Sequence, residues 1–109
     1  DSLIALAYSP EDKIFYALRD DYGKSAISTL KKVNRLGADI GSLGVVPPIP
    51  IVRGQNEQFQ MTISSKKIVL LVPAVSHAPH EAFKNSRIFV IDPENGKVCV
   101  PMNAVVHSE

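Results

Sequence analysis

The chain runs twice through one four-part pattern, and this repeat restricts its possible folds more than any single motif does. In the first pass, Asp12-Lys13-Ile14-Phe15-Tyr16-Ala17-Leu18 is followed, after a polar gap, by Ser28-Thr29-Leu30-Lys31-Lys32-Val33-Asn34-Arg35-Leu36-Gly37. In the second, Lys66-Lys67-Ile68-Val69-Leu70-Leu71-Val72 is followed by Ser86-Arg87-Ile88-Phe89-Val90-Ile91-Asp92-Pro93-Glu94-Asn95-Gly96. The strand runs match at Ile14 and Ile68 and the turn residues at Asn34 and Asp92, so the second pass carries the longer intervening loop. One unit of such a repeat cannot bury its apolar face alone and must stack on a neighbour.

Nearly every apolar segment reads as strand. Segments 3–8, 13–18 and 26–33 are short apolar or β-branched runs separated by turn residues, Ser9-Pro10-Glu11-Asp12 first among them. Segment 38–46 continues as a strand containing glycines, which fits a twisted or bulged strand with close backbone approach. Pro47, Pro48 and Pro50 then make 46–52 an edge strand or an extended connector, because proline donates nothing to a ladder. In the second half, Phe59, Met61 and Ile63 alternate with Gln60 and Thr62, which places the three apolar residues on one face. Segments 67–72 and 87–91 are the strongest strand signals, and Asp92-Pro93-Glu94-Asn95-Gly96 is a hairpin turn leading into 97–100, with 104–106 as a last strip. Helix is confined to one or two turns at 79–85. The expected fold is all-β, built as antiparallel four-stranded meanders in two units, 1–52 and 53–109.

The segment Arg87-Ile88-Phe89-Val90-Ile91-Asp92-Pro93-Glu94-Asn95-Gly96-Lys97-Val98 resembles the third-strand, turn, fourth-strand portion of β-propeller repeats. The first-pass counterpart, 30–39, departs from it: Asn34 replaces Asp, no proline follows, and the turn is one residue shorter. There is no Trp-Asp signature, no kelch-type double glycine and no tryptophan, so no propeller subfamily is indicated. The resemblance implies two blade-like units. Because propellers close with roughly four to eight blades, it also implies apolar outer faces and open strand edges awaiting partners. Identical subunits closing a ring, or membership of a larger assembly, answer that need. A single self-contained β-sandwich of eight short strands is the alternative.

Composition narrows the function classes. The 109 residues are 45% hydrophobic and 21% charged, which are globular values. A net charge of +1, with Lys31-Lys32 and Lys66-Lys67 as isolated pairs, gives no footprint for nucleic acid. No apolar run approaches the ~18 residues of a membrane-spanning helix. Cys99 is the single cysteine, which leaves no internal disulfide; its apolar neighbours read it as a small strand hydrophobe. The start at Asp1 fits a mature, exported chain whose targeting segment was removed, or a piece cut from something longer, the first being the preferred expectation.

His77-Ala78-Pro79-His80-Glu81 is the most suggestive chemical cluster, two imidazoles and a carboxylate that can converge on a metal if the segment turns helically. It lacks an identifiable third and fourth ligand, and a solvated polar loop is the plainer reading. Asp20-Asp21-Tyr22-Gly23 lacks the alternating ligand register of a calcium loop. No phosphate loop and no nucleophile elbow is present, so no catalytic residue, cofactor-binding residue or cofactor is assigned. Two functions remain. One is a non-enzymatic protein that assembles with itself or with partner subunits through strand edges and apolar faces. The other is a small-molecule or carbohydrate-binding module, or an enzyme subunit, using loops 19–27 and 73–85.

Overall fold

A computed structural model describes residues 2–20, 26–52, 58–78 and 80–99. It contains eight strands: β1 (Ser2–Ser9), β2 (Ile14–Asp20), β3 (Ala26–Asn34), β4 (Asp39–Pro50), β5 (Gln60–Ser64), β6 (Lys67–Val72), β7 (Arg87–Ile91) and β8 (Val98–Cys99). They form two antiparallel four-stranded sheets, each a meander in sequence order, β1-β2-β3-β4 and β5-β6-β7-β8. The fold is therefore all-β, and each sheet is consistent with a blade-like unit. The expected short helix is a single 3₁₀ turn, Glu81–Lys84; Pro79, at its predicted start, lies outside the described residues, as does the strip at 104–106.

The local chemistry accounts for the turns. Asn34 Oδ1 accepts from the amides of Leu36 and Ala38, and Gly37 takes φ +86° to close the β3–β4 turn. Asp92 Oδ1 accepts from the Glu94 amide, and Gly96 takes φ +75° at the exit of the β7–β8 turn. Segment 46–52 resolves into the edge reading: β4 lies at the margin of its sheet and continues to Pro50. Its ladder to β3 breaks between Gly44, opposite Thr29, and Ile49, opposite Ile27, so the 45–48 stretch bulges out with its prolines off the ladder. Two sequence expectations need correction. Lys66 is not in a strand but shares a two-residue hairpin turn with Ser65, at φ 63° and 50°, because antiparallel strands joined by two residues demand positive φ there. Cys99 is exposed instead of buried, since β8 is only two residues long and Cys99 pairs with Val90 on the side away from the core.

Both sheets contribute to one core. Leu18, Leu30, Ile27 and Ile49 from the first sheet meet Ile68, Leu70, Val72 and Ile91 from the second, all at 0–1% exposure. Burial of each such side chain is worth about 1.5–3 kcal/mol, so this shared core is the main force holding the two sheets together. β1 lies against β5, where Ala5 and Ala7 leave room for close approach, and β4 meets β8. At the second seam Val46 forms a parallel bridge with Lys97, and the Val46 amide donates to the Gly96 carbonyl at 3.0 Å. Arg87 fastens the other end of that seam. Its guanidinium lies between the Phe83 and Phe89 rings, 4.7 and 5.5 Å from their centroids, and Nη2 donates to the Pro50 carbonyl at 2.8 Å.

The direction of stacking fixes which faces meet. A meander has two distinguishable faces: with its first strand pointing up, the strands run in order left to right on one face and right to left on the other. The parallel bridge makes β4 and β8 run the same way, so β1 and β5 also run the same way. Two meanders stacked first strand on first strand in one direction must present opposite faces to each other. The ladder says the same. Ile14 pairs with Asn34 but Ile68 pairs with Ile91, so the matches Ile14–Ile68 and Asn34–Asp92 are out of step by one residue. Keeping the turn match places Phe15 in the position of Ile68 and Val33 in that of Ile91. Ile68 and Ile91 face the core, whereas Phe15 and Val33 pair on the outer face. The second unit thus repeats the first by advancing it, and no local two-fold relates them.

Candidate functional site

Because the units run in the same direction, their tight turns gather at one end. The β1–β2, β5–β6 and β7–β8 turns surround an open cleft of about 870 Å³. Its floor is Ile14, Tyr16, Ile63 and Ile68, and its rim carries both signs of charge: Asp12, Asp92 and Glu94 against Lys32, Lys66 and Lys67. Lys67 Nζ donates to Asp92 Oδ2 at 2.9 Å. That bond, supported by the Glu94 amide, holds the Asp92 carboxyl below its ordinary range, and the same bond raises the Lys67 ammonium. Ser9 Oγ donates to Asp12 Oδ2 at 3.2 Å and accepts from the Asp12 amide at 3.3 Å, a local turn brace. Burial, aided by the Asp12 charge, raises the Tyr16 hydroxyl. The cleft offers hydrogen-bonding groups of mixed sign; of its two serines Ser9 is committed to its turn and Ser65 is exposed in the β5–β6 turn, and among the described residues no histidine lines it.

The histidine segment lies elsewhere. Strand alternation sends the β6–β7 connection, with the 73–85 loop, to the end opposite the turns; of the expected 19–27 loop, residues 19–20 belong to β2 and 26–27 to β3, with Ile27 in the core. Residues 21–25, which include Asp21, Tyr22 and Gly23, are outside the described set. His80 meets Phe83 edge-on at 6.0 Å, and Glu81 pairs with Lys84 at 3.1 Å on the surface. Among the described residues, no three metal-ligating side chains converge, so His77, His80 and Glu81 gain no further ligand from them. Val75 and Ala78 are buried and the Val75 amide donates to the Phe83 carbonyl, which ties the loop down through its own apolar residues.

The outward faces are the largest uncommitted chemistry. On the first sheet, Leu3, Leu6 and Tyr8 of β1 are 50, 49 and 40% exposed, and Tyr8 packs on Phe15 of β2 with ring centroids 4.8 Å apart. Half-buried Val33 adds to this apolar area, Ala17 opposite Leu6 is already buried, and Arg19 opposite Leu3 and the Lys31–Asp39 pair at 3.4 Å put charge on the same face. On the second sheet, Val69 and Leu71 of β6 lie beside Val90 and Ile88 of β7, all half-buried on the face away from the core. The sequence showed these residues as apolar but not which of them face outward.

No family model matches the chain, and no curated protein or solved structure matches it.

Proposed function

We propose that this chain is a non-enzymatic interaction protein that assembles through its apolar sheet faces into an oligomer or a larger complex. The observation that carries this reading is the composition of the central strands, which are apolar on both sides: Phe15 and Ala17 back Tyr16 and Leu18, and Val69 and Leu71 back Ile68 and Leu70. Strands of this kind belong in sheets covered on both faces, and a soluble single layer carries polar residues outside. The same-direction stacking of two four-stranded meanders adds support, because it is how blades follow one another in a propeller. A bridge joins the β4 and β8 edges within the chain, while β1 and β5 are each hydrogen-bonded to one neighbouring strand, so the faces are the larger surface and the β1 and β5 edges add to it. Sedimentation equilibrium over a micromolar concentration series tests the proposal. Mass above the monomer is expected, or co-purification of a stoichiometric partner from the native source. A monomer with no partner refutes it.

The cleft at the turn end favours a second reading, a module for a small polar ligand such as a carbohydrate, displaced here from the expected loops 19–27 and 73–85. Its test is a glycan array with Lys66→Ala as control. Binding that the substitution leaves unchanged, or no binding at all, removes it.

A further inference from the structure

We infer that the chain associates head to tail with a second copy of itself, the outward face of β5–β8 in one molecule packing on the outward face of β1–β4 in the next. The inference rests on the proposed assembly through sheet faces and specifies its partner and polarity. Within one chain the interface joins a face of the first unit to the opposite face of the second. With the turn residues Asn34 and Asp92 superposed, the residues that the second sheet leaves outside, Val69, Leu71 and Ile88, occupy the positions of Tyr16, Leu18 and Leu30. Those three are buried at 4, 0 and 0% exposure against the second sheet. Conversely, Phe15 and Val33, outside on the first sheet, occupy the positions of Ile68 and Ile91, both 0% exposed. The match is apolar at Phe15 and Val33 on one face and at Val69, Leu71 and Ile88 on the other, whereas Ala17, Arg19 and Lys31 stand where the second sheet buries Leu70, Val72 and Phe89.

A self-complementary two-fold dimer pairs like with like and uses one face of each molecule. The repeat relation instead pairs unlike faces, and such an interface closes into a ring or continues as a filament. The occupant is consequently another unit of this same pattern, and a second copy supplies one.

The experiment uses two variants. Leu6→Lys places a charge on the first sheet's outer face, and Leu71→Lys places one on the second's. Both positions are outside the shared core; far-UV circular dichroism and a thermal melt check folding, and Tyr8→Lys or Val90→Lys replaces either variant that unfolds. Each variant alone is expected to sediment as a monomer, while the unmodified chain forms a closed dimer of four units or a larger ring or filament. An equimolar mixture is expected to give a dimer of twice the monomer mass and nothing larger, because each variant retains the face that the other lacks. If either variant alone still dimerises, like faces pair with like, and the inference falls while assembly stands. If the mixture stays monomeric while the unmodified chain assembles, the inference falls in the same way. A monomeric unmodified chain refutes both the inference and the reading beneath it.

Discussion

Gly96→Ala tests the seam between the sheets at its narrowest point. Gly96 holds φ +75°, and a Cβ there would overlap the carbonyl oxygen of Gly44 and reach its carbonyl carbon at 3.0 Å. The obstacle is backbone on both sides of the contact, so no side chain can rotate away. Left-handed φ costs an L-residue about 1–2 kcal/mol, while the stiffer unfolded chain returns about 0.4–1 kcal/mol. Relieving the overlap means lifting the β7–β8 turn from β4 and surrendering the Val46–Gly96 hydrogen bond, a further loss of about 1 kcal/mol with some core exposure around Val98. The total is about 1–3 kcal/mol, or a fall in melting temperature of roughly 4–20 °C for a domain of this size. Gly37→Ala supplies the comparison, since Gly37 has φ +86° but nothing near its added Cβ. Urea unfolding of both variants, at matched m-values, separates the backbone cost from the docking cost. A Gly96 variant no less stable than the Gly37 variant would refute the claim that the turn is seated on β4.

Leu18→Ala removes a fully buried side chain where the sheets meet, and calorimetry is expected to record a loss of about 2–5 kcal/mol. The Ser65–Lys66 turn holds two non-glycine residues at positive φ; the pair Ser65→Asn, Lys66→Gly suits a two-residue hairpin and is expected to raise stability by about 0.5–1.5 kcal/mol in urea. The Lys67–Asp92 pair sets a pH window. Asp92, depressed in the folded state, contributes stability above its unfolded pKa and loses it as pH falls through the folded one. Lys67, raised, contributes below its unfolded pKa and loses that as pH rises through the folded one. The contribution is therefore largest between the ordinary carboxylate and lysine ranges, and carboxyl NMR titration should show Asp92 moving upward in Lys67→Met; an unmoved Asp92 contradicts the pairing.

The strands were legible because their apolar residues are dense and bounded by turn chemistry, and the three residues that alternation grouped on one face, Phe59, Met61 and Ile63, all pack on the core. The same density hid the relation between the units. Where Ile68, Val69, Leu70 and Leu71 are all apolar, no polar alternation marks the face, and a match displaced by one residue looks equally good while inverting every side chain. The Ser65–Lys66 turn escaped notice because it carries no glycine or asparagine; strand pairing, not local preference, sets its φ. The cleft was invisible for a different reason. Its rim comes from three turns distant in sequence, each of which reads alone as ordinary solvated surface, and only the same-direction stacking gathers them.

That stacking also shapes how the chain reaches its native state. Within each sheet every strand pairs with its sequence neighbour, so either meander can form from nearby contacts at small loop-closure cost. The seam is the exception, joining Val46 to Gly96 across the whole second unit. Closure there joins parts of the chain that form separately, so loss of the Val46–Gly96 bond is expected to speed unfolding and leave the folding rate nearly unchanged, as stopped-flow urea jumps would measure. The bond that orients the two sheets is then a latch on their lifetime.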